Sequence, residues 1–206
     1  MLPDTFYHVY THANGSENLF RTDDNYGYFL KRYAHFVNSV ADTYAYCLMP
    51  NHVHFLVKVK TEEELMLFWK EKYPGKVLEE KTLEVFENLQ GLVPQQFGNL
   101  FNGYTKAFNK VHKRKGSLFM QNFKRKPVEN DSYFTKLVHY IHANPVHHGF
   151  VNNLSDWSWS SYQAFLFDKP TKLRRQEVLD WFGGKEDLLA LHQQPIDVKL
   201  GLEMDF

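Results

Sequence analysis

The 206-residue sequence predicts an α+β fold: a ferredoxin-like antiparallel sheet with helices on one face, plus inserted and C-terminal helices. Three observations predict it. Four short runs rich in aromatic and β-branched residues, 6–10, 44–49, 52–59 and 123–128, read as strands. Two longer stretches place apolar residues at three- and four-residue spacing, the signature of an amphipathic helix. Their order is strand, helix, strand, strand, helix, strand, which is a split βαβ unit used twice.

The first strand, around Phe6, Tyr7, His8, Val9 and Tyr10, ends before the Asn14-Gly15 turn. Thr22 or Asp23 can cap the helix that follows, whose apolar face is Tyr26, Phe29, Leu30, Tyr33, Phe36, Val37 and Val40. Pro50-Asn51 joins strands 44–49 and 52–59 tightly, so these two are expected to pair antiparallel. Residues 61–90 carry eight Glu against four Lys around Leu65, Phe68 and Trp69, which predicts acidic surface helices unsuited to DNA phosphates. From Pro94, the residues Phe97, Leu100, Phe101, Tyr104, Ala107, Phe108 and Val111 predict a second long helix ending before Gly116. Pro127 makes 123–128 an edge strand. Asn130 or Asp131 caps a last core helix with the stripe Phe134, Leu137, Val138 and Ile141, predicted to stop near Ala143 because Pro145 follows. The expected organisation is a core over 1–165 with a helical insertion near 61–93, then an extension over 166–206. Within that extension, a short helix over 174–182 closes over the core or meets DNA through Lys172, Arg174 and Arg175.

Composition narrows the function classes. Aromatics make up 17 % of the chain, which excludes a disordered polymer, and the formal net charge is zero, which argues against binding nucleic acid by bulk charge. The single Cys47 rules out an intrachain disulfide and a cysteine zinc cluster. With no run of 18 apolar residues and no basic-then-apolar N-terminus, the expectation is a cytoplasmic chain with no membrane segment.

Chemistry concentrates in two places. On an extended strand His52 and His54 share one face, so both imidazoles can reach one ion, although a His-x-His pair alone is more often simply packed or solvent-facing. Tyr140 and Asn144, four apart on the last core helix, stack on one side of it, beside the buried stripe. If that helix lies on the face bearing His52 and His54, Tyr140 can act as nucleophile and Asn144 as a third metal ligand. His139 reads as off the Tyr140 face, and His142, His147 and His148 as exit-loop or DNA-proximal. Between 104 and 126 lie Lys106, Lys110, Lys113, Arg114, Lys115, Lys124, Arg125 and Lys126 with no acidic residue. Phe119, Met120 and Phe123 interleave with them, which suits a groove that follows a phosphate backbone and stacks bases.

Pro50-Asn51-His52-Val53-His54-Phe55 resembles the His-hydrophobic-His motif of single-tyrosine transposases, the insertion-sequence-200-like group that includes the REP-associated tyrosine transposases. Tyr140-Ile141-His142-Ala143-Asn144-Pro145-Val146 resembles the tyrosine segment of the same family, and weaker similarities extend over roughly 5–165. The resemblance implies a catalytic divalent metal, Mg²⁺ or Mn²⁺, on His52 and His54, with Tyr140 as the nucleophile. It further implies single-stranded or hairpin DNA as substrate, a 5′-phosphotyrosine intermediate, and often a homodimer. Two other readings stand beside it. One is a non-cleaving module of the same fold that binds hairpin DNA or RNA; the other is a metal hydrolase in which Asp131 completes the ligand set.

Overall fold

The computed structural model describes residues 1–74 and 83–196; the expectations for 75–82 of the insertion and for the tail 197–206 lie outside the described residues. Strands β1 (Phe6–His12), β2 (Ala41–Leu48), β3 (His52–Val59) and β4 (Lys124–Pro127) form one sheet in the order β2-β3-β1-β4, every neighbouring pair antiparallel. This is the expected α+β, ferredoxin-like arrangement.

Alternation along the strands decides what each face can pack against. Val9, Leu48, Val53, Phe55 and Val57 face one way and join the core built with helices α1 (Asp23–Phe36) and α3 (Leu83–Val111). Ala45, Cys47 and Leu56 face the other way, in a second core formed with helix α4 (Asp131–His147) through Phe134, Leu137, Val138 and Ile141. The expectation of helices on one face therefore holds for the two crossover helices only. α4 covers the opposite face, packing on its apolar part at Ala45, Cys47 and Leu56.

Both long helices run through a proline expected to bound them. Pro94 lies inside α3, which starts eleven residues earlier at Leu83. A proline leaves the carbonyl four residues back without its helical donor. Here that carbonyl is Gln90's, and the Met1 ammonium donates to it at 2.8 Å. Pro145 likewise lies inside α4, which continues to His147 and closes with the His148 N–H donating to Asn144 O. The extra turn matters because it keeps Asn144 in helical register with Tyr140. At the other end, the Asn130 side chain caps α4 as expected, accepting from the Tyr133 N–H at 2.9 Å.

The insertion begins with α2 (Glu62–Lys72), fixed by a capping box in which Thr61 and Glu64 each accept the other's backbone N–H. The C-terminal extension folds onto α4. It contains α6 (Arg175–Phe182) and α7 (Lys185–His192) and follows α5 (Tyr162–Leu166) at the end of the expected core; α5 and α7 are unforeseen in the sequence. Val178 and Leu188 enter the second core, and Trp181 stacks on Phe134 at 4.4 Å. Arg174 pairs with Asp42 at 2.8 Å, and Arg175 donates to the Ala164, Phe167 and Lys169 carbonyls. These two guanidiniums tie the extension down and are spent on protein partners. Among the described residues no helix is long and apolar enough to cross a membrane.

Candidate active site

The β1–β3 register sets Tyr10 opposite His54 and His12 opposite His52, and period-2 alternation puts His8 on the same face. A row of imidazoles and one phenol therefore lines the face under α4. His8 stacks on His54 with ring centres 5.1 Å apart, and His12 stacks on His52 at 4.8 Å. α4 delivers Tyr140 and Asn144 onto this row from above. The Tyr140 ring meets the His54 ring edge-on at 5.5 Å, and Asn144 Oδ1 lies 2.7 Å from His52 Nε2. His52, His54, Tyr140 and Asn144, separated by up to 92 positions in sequence, are thus brought together.

A hydrogen bond fixes which ring nitrogen of His52 holds its proton. His52 Nδ1–H donates to Asn51 Oδ1 at 2.9 Å, because an amide oxygen can only accept. In a neutral ring His52 Nε2 is then a lone pair, and it faces a second lone pair on Asn144 Oδ1. That contact is attractive only with a proton or a cation at it. His54 Nδ1 and His8 Nε2 share a hydrogen bond of 2.9 Å, and His54 Nε2 is buried with no hydrogen-bond partner, as is Asn144 Nδ2. Burial, then neighbouring His52, holds the His54 pKa well below the ordinary imidazole range; burial, then Lys126, pushes His8 down to about 3. Both rings are neutral at pH 7, the form that ligates metals.

Two imidazole nitrogens and one amide oxygen fit a divalent cation with open positions left for substrate oxygens. Among the described residues no group of three or more His, Cys, Asp or Glu side chains could hold an ion, so the set depends on Asn144. The hydrolase reading loses its ligand. Asp131 begins α4 and is exposed, thirteen residues or about 20 Å of helix from Asn144. Tyr140 is itself fully buried, so a phosphodiester reaches its hydroxyl only after α4 and the strand face part.

The basic run divides. Lys124 and Lys126 pair with Tyr10 and His8, which places them on the face of the histidine row, while Arg125 opposite Val9 faces the other way. All three are exposed, and β4 pairs on one side only, with β1. Lys106 and Lys110 are exposed on α3, with Lys113 and Lys115 on the turn after it. Arg114 is engaged within the protein. It pairs with Glu17 at 2.8 Å and donates to Asn109 Oδ1 and to the Gly116 and Ser117 carbonyls, clamping that turn. Between α3 and residues 117–125 lies a cleft of about 810 Å³ lined by Phe101, Asn102, Phe119, Gln121, Phe123 and Arg125, among others.

Sequence reasoning passes over His8, Tyr10, His12 and Asn51. The signal is the alternation of Phe6, His8, Tyr10 and His12, which becomes informative once β1 is paired with β3. It also misjudges His142, which is fully buried and hydrogen-bonded to His192 on α7, out of reach of DNA. His148 is exposed and meets the His52 ring edge-on at 5.0 Å.

The fold has a counterpart among solved structures. Over 80 % of this chain and 81 % of the other, at 16 % identity and a TM-score of 0.53, it matches the structure of the REP-associated tyrosine transposase bound to a REP hairpin. The class is therefore an α+β fold shared with that structure. In sequence, 149 residues, 71 % of this chain and 69 % of the relative, are 25 % identical to a Haemophilus influenzae protein named "Putative REP-associated tyrosine transposase". No family model matches. Both likenesses are to proteins named as REP-associated tyrosine transposases.

Proposed function

We propose that the protein is a metal-dependent DNA nicking and rejoining enzyme that acts on single-stranded or hairpin DNA through Tyr140. The observation that carries the reading is the meeting of a tyrosine and an asparagine, one turn apart on α4, with a strand-borne His-x-His pair. Likeness to a structure bound to a REP hairpin supports hairpin DNA as the substrate form.

In this reading His52, His54 and Asn144 hold Mg²⁺ or Mn²⁺, which when bound polarises a non-bridging phosphate oxygen and neutralises charge as the phosphate is attacked. The Tyr140 oxygen forms a bond to phosphorus while the bond to the 3′-oxygen breaks. The phenolic proton passes to water, and the departing oxygen takes up a proton to become a free 3′-hydroxyl. The product is a 5′-phosphotyrosine, whose bond energy is conserved for rejoining to another strand. α4 holds the phenol against the histidine row. Lys124 and Lys126, exposed at the β4 edge beside that row, neutralise the incoming backbone; Lys106, Lys110, Lys113, Lys115 and Arg125 extend the track.

The test is a denaturing gel of end-labelled hairpin oligonucleotides incubated with Mn²⁺. Wild type should give a detergent-stable protein–DNA adduct that chelator abolishes. Tyr140→Phe should lose the adduct by at least about a thousandfold, the scale for removing a nucleophile, and still bind the hairpin. An adduct that survives in Tyr140→Phe would end the assignment, and hairpin binding by wild type with no adduct in any divalent metal would leave a non-cleaving binding module.

A further inference from the structure

His8 has no role in the reading above, yet it is the fully buried partner of a candidate ligand. We propose that His8 is a positioning residue that fixes the tautomer and ring orientation of His54, so that His54 Nε2 presents its lone pair to the divalent cation. This rests on the metal reading of His52, His54 and Asn144 and deepens it.

Proton counting sets the constraint. A neutral imidazole carries one N–H, so His54 can offer Nε2 to a cation only if Nδ1 holds the proton. The neighbour of Nδ1 is His8 Nε2 at 2.9 Å, which must then be an acceptor. His8 meets that demand as a neutral ring, and its geometry leaves little freedom. Its ring centre lies 4.6 Å from that of Tyr10 and 5.1 Å from that of His54, whose own centres are 5.7 Å apart, and it has no solvent exposure. The outer ends of the pair, His8 Nδ1 and His54 Nε2, are both buried without hydrogen-bond partners. Whichever way the shared proton lies, one buried N–H has no acceptor, so the pair is incomplete by itself. A cation on His54 Nε2 resolves the choice in one direction only, with the shared proton on His54. Metal-binding histidines generally have the far ring nitrogen held in this way, and loss of the holding group commonly weakens metal affinity about 10- to 100-fold.

The test uses the full chain and Mn²⁺ itself as the probe, titrated by electron paramagnetic resonance in the absence of DNA. His8→Phe keeps a flat ring beside Tyr10 and His54 but removes the accepting nitrogen; it should weaken Mn²⁺ binding about 10- to 100-fold. His8→Gln, whose side-chain oxygen reaches the place of Nε2, should recover affinity to within about threefold of wild type. A purely packing role predicts the opposite order, with Phe the better substitute. In the wild type loaded with Mg²⁺, long-range ¹⁵N–¹H correlation should find the His54 proton on Nδ1. A His54 proton on Nε2 in that spectrum overturns the proposal even if neither variant folds, as does equal Mn²⁺ affinity in wild type and His8→Phe. If wild type itself binds no Mn²⁺, the metal reading fails and this one with it. Equal binding by both removes only the role of His8.

Discussion

Two buried histidine pairs lie near α4, and they differ in how their hydrogen bonds end. In the His142–His192 pair the chain is complete. His192 Nδ1–H donates to the Leu188 carbonyl at 2.7 Å, so His192 Nε2 accepts from His142 Nδ1–H at 2.8 Å, and His142 Nε2 accepts from the Ser161 hydroxyl at 2.7 Å. Ser161 Oγ in turn accepts the Tyr46 N–H at 2.8 Å. Every ring nitrogen has a partner of the right kind, and the direction is set by a carbonyl that can only accept. In the His8–His54 pair both outer nitrogens are buried and unpartnered. A closed polar chain is what folding alone requires, since a buried polar atom without a partner costs roughly 1–3 kcal/mol. The open pair bears that cost beside a tyrosine and an asparagine, and in the metal reading a cation would supply one of its two missing partners, the one at His54 Nε2.

The largest expected effect is on pH dependence, where the two pairs act alike until metal is added. Burial, followed by His139, pushes His192 down to about 3, and burial, followed by His192, holds His142 well below the usual imidazole value. His8 and His54 are lowered in the same direction. The folded pKa values lie below the unfolded value of about 6.5, so between these limits the unfolded chain binds more protons. Stability from all four groups is fully present above about pH 6.5 and is lost as pH falls below it, down to about 3 for His8 and His192, each contributing up to about 1.4 kcal/mol per pH unit inside its window. Urea unfolding at pH 7.5, 6 and 5 should show a combined loss of several kcal/mol. Saturating Mg²⁺ or Mn²⁺ should add stability at pH 7.5 and progressively less at pH 5, because protons compete for the ligand nitrogens. A metal-induced gain that persists undiminished at pH 5 would contradict the assignment of neutral imidazoles as ligands.

A smaller effect separates the pairs by mutation. His142→Phe removes the middle of the closed chain and strands both Ser161 Oγ and His192 Nε2, so it should cost about 2–4 kcal/mol without metal. His54→Phe removes one nitrogen that had no partner and strands one buried atom, His8 Nε2, where His142→Phe strands two. It should cost about 1–2 kcal/mol of metal-free stability, less than His142→Phe, and abolish Mn²⁺ binding. Equal losses from the two substitutions would break the distinction between a structural pair and a functional one.

The same contrast explains what is legible in the sequence. Hydrophobic alternation and helical spacing depend on near neighbours, so all four strands, α1, α4 and the Asn130 cap can be read there, as can His52 with His54 and Tyr140 with Asn144 as two pairs, which only the family resemblance joins. The ends of α3 and α4 cannot, because a proline inside a helix is tolerated only when the freed carbonyl and the packing are accommodated elsewhere. Met1, 89 residues from Gln90, supplies that donor for Pro94. His8 and His142 are misjudged for a related reason. An isolated histidine carries no sign of its partner, and theirs lie 46 and 50 residues away, across β-register in one case and on an unforeseen helix in the other. Arg114 reads as part of a basic track because its partner Glu17, 97 residues off, belongs to another part of the chain.

The smallest effect concerns the other ligand ring. His52 Nδ1 is held by Asn51 Oδ1 much as His54 Nδ1 is held by His8, but Asn51 is exposed at the β2–β3 turn while His8 is sealed inside. When an exposed acceptor is deleted, water takes its place and most of the orientation survives; when a buried one is deleted, the N–H is left bare. The main-chain role of Asn51, whose carbonyl accepts the Ala13 N–H at 2.7 Å, does not depend on its side chain. Asn51→Ala should therefore fold normally, shift stability by less than about 1 kcal/mol and weaken Mn²⁺ binding only about two- to fivefold. Titration of the two variants side by side checks the ranking. If Asn51→Ala weakens Mn²⁺ binding as much as His8→Phe does, burial is not what makes the inner lock matter, and the two rings are held by equivalent means.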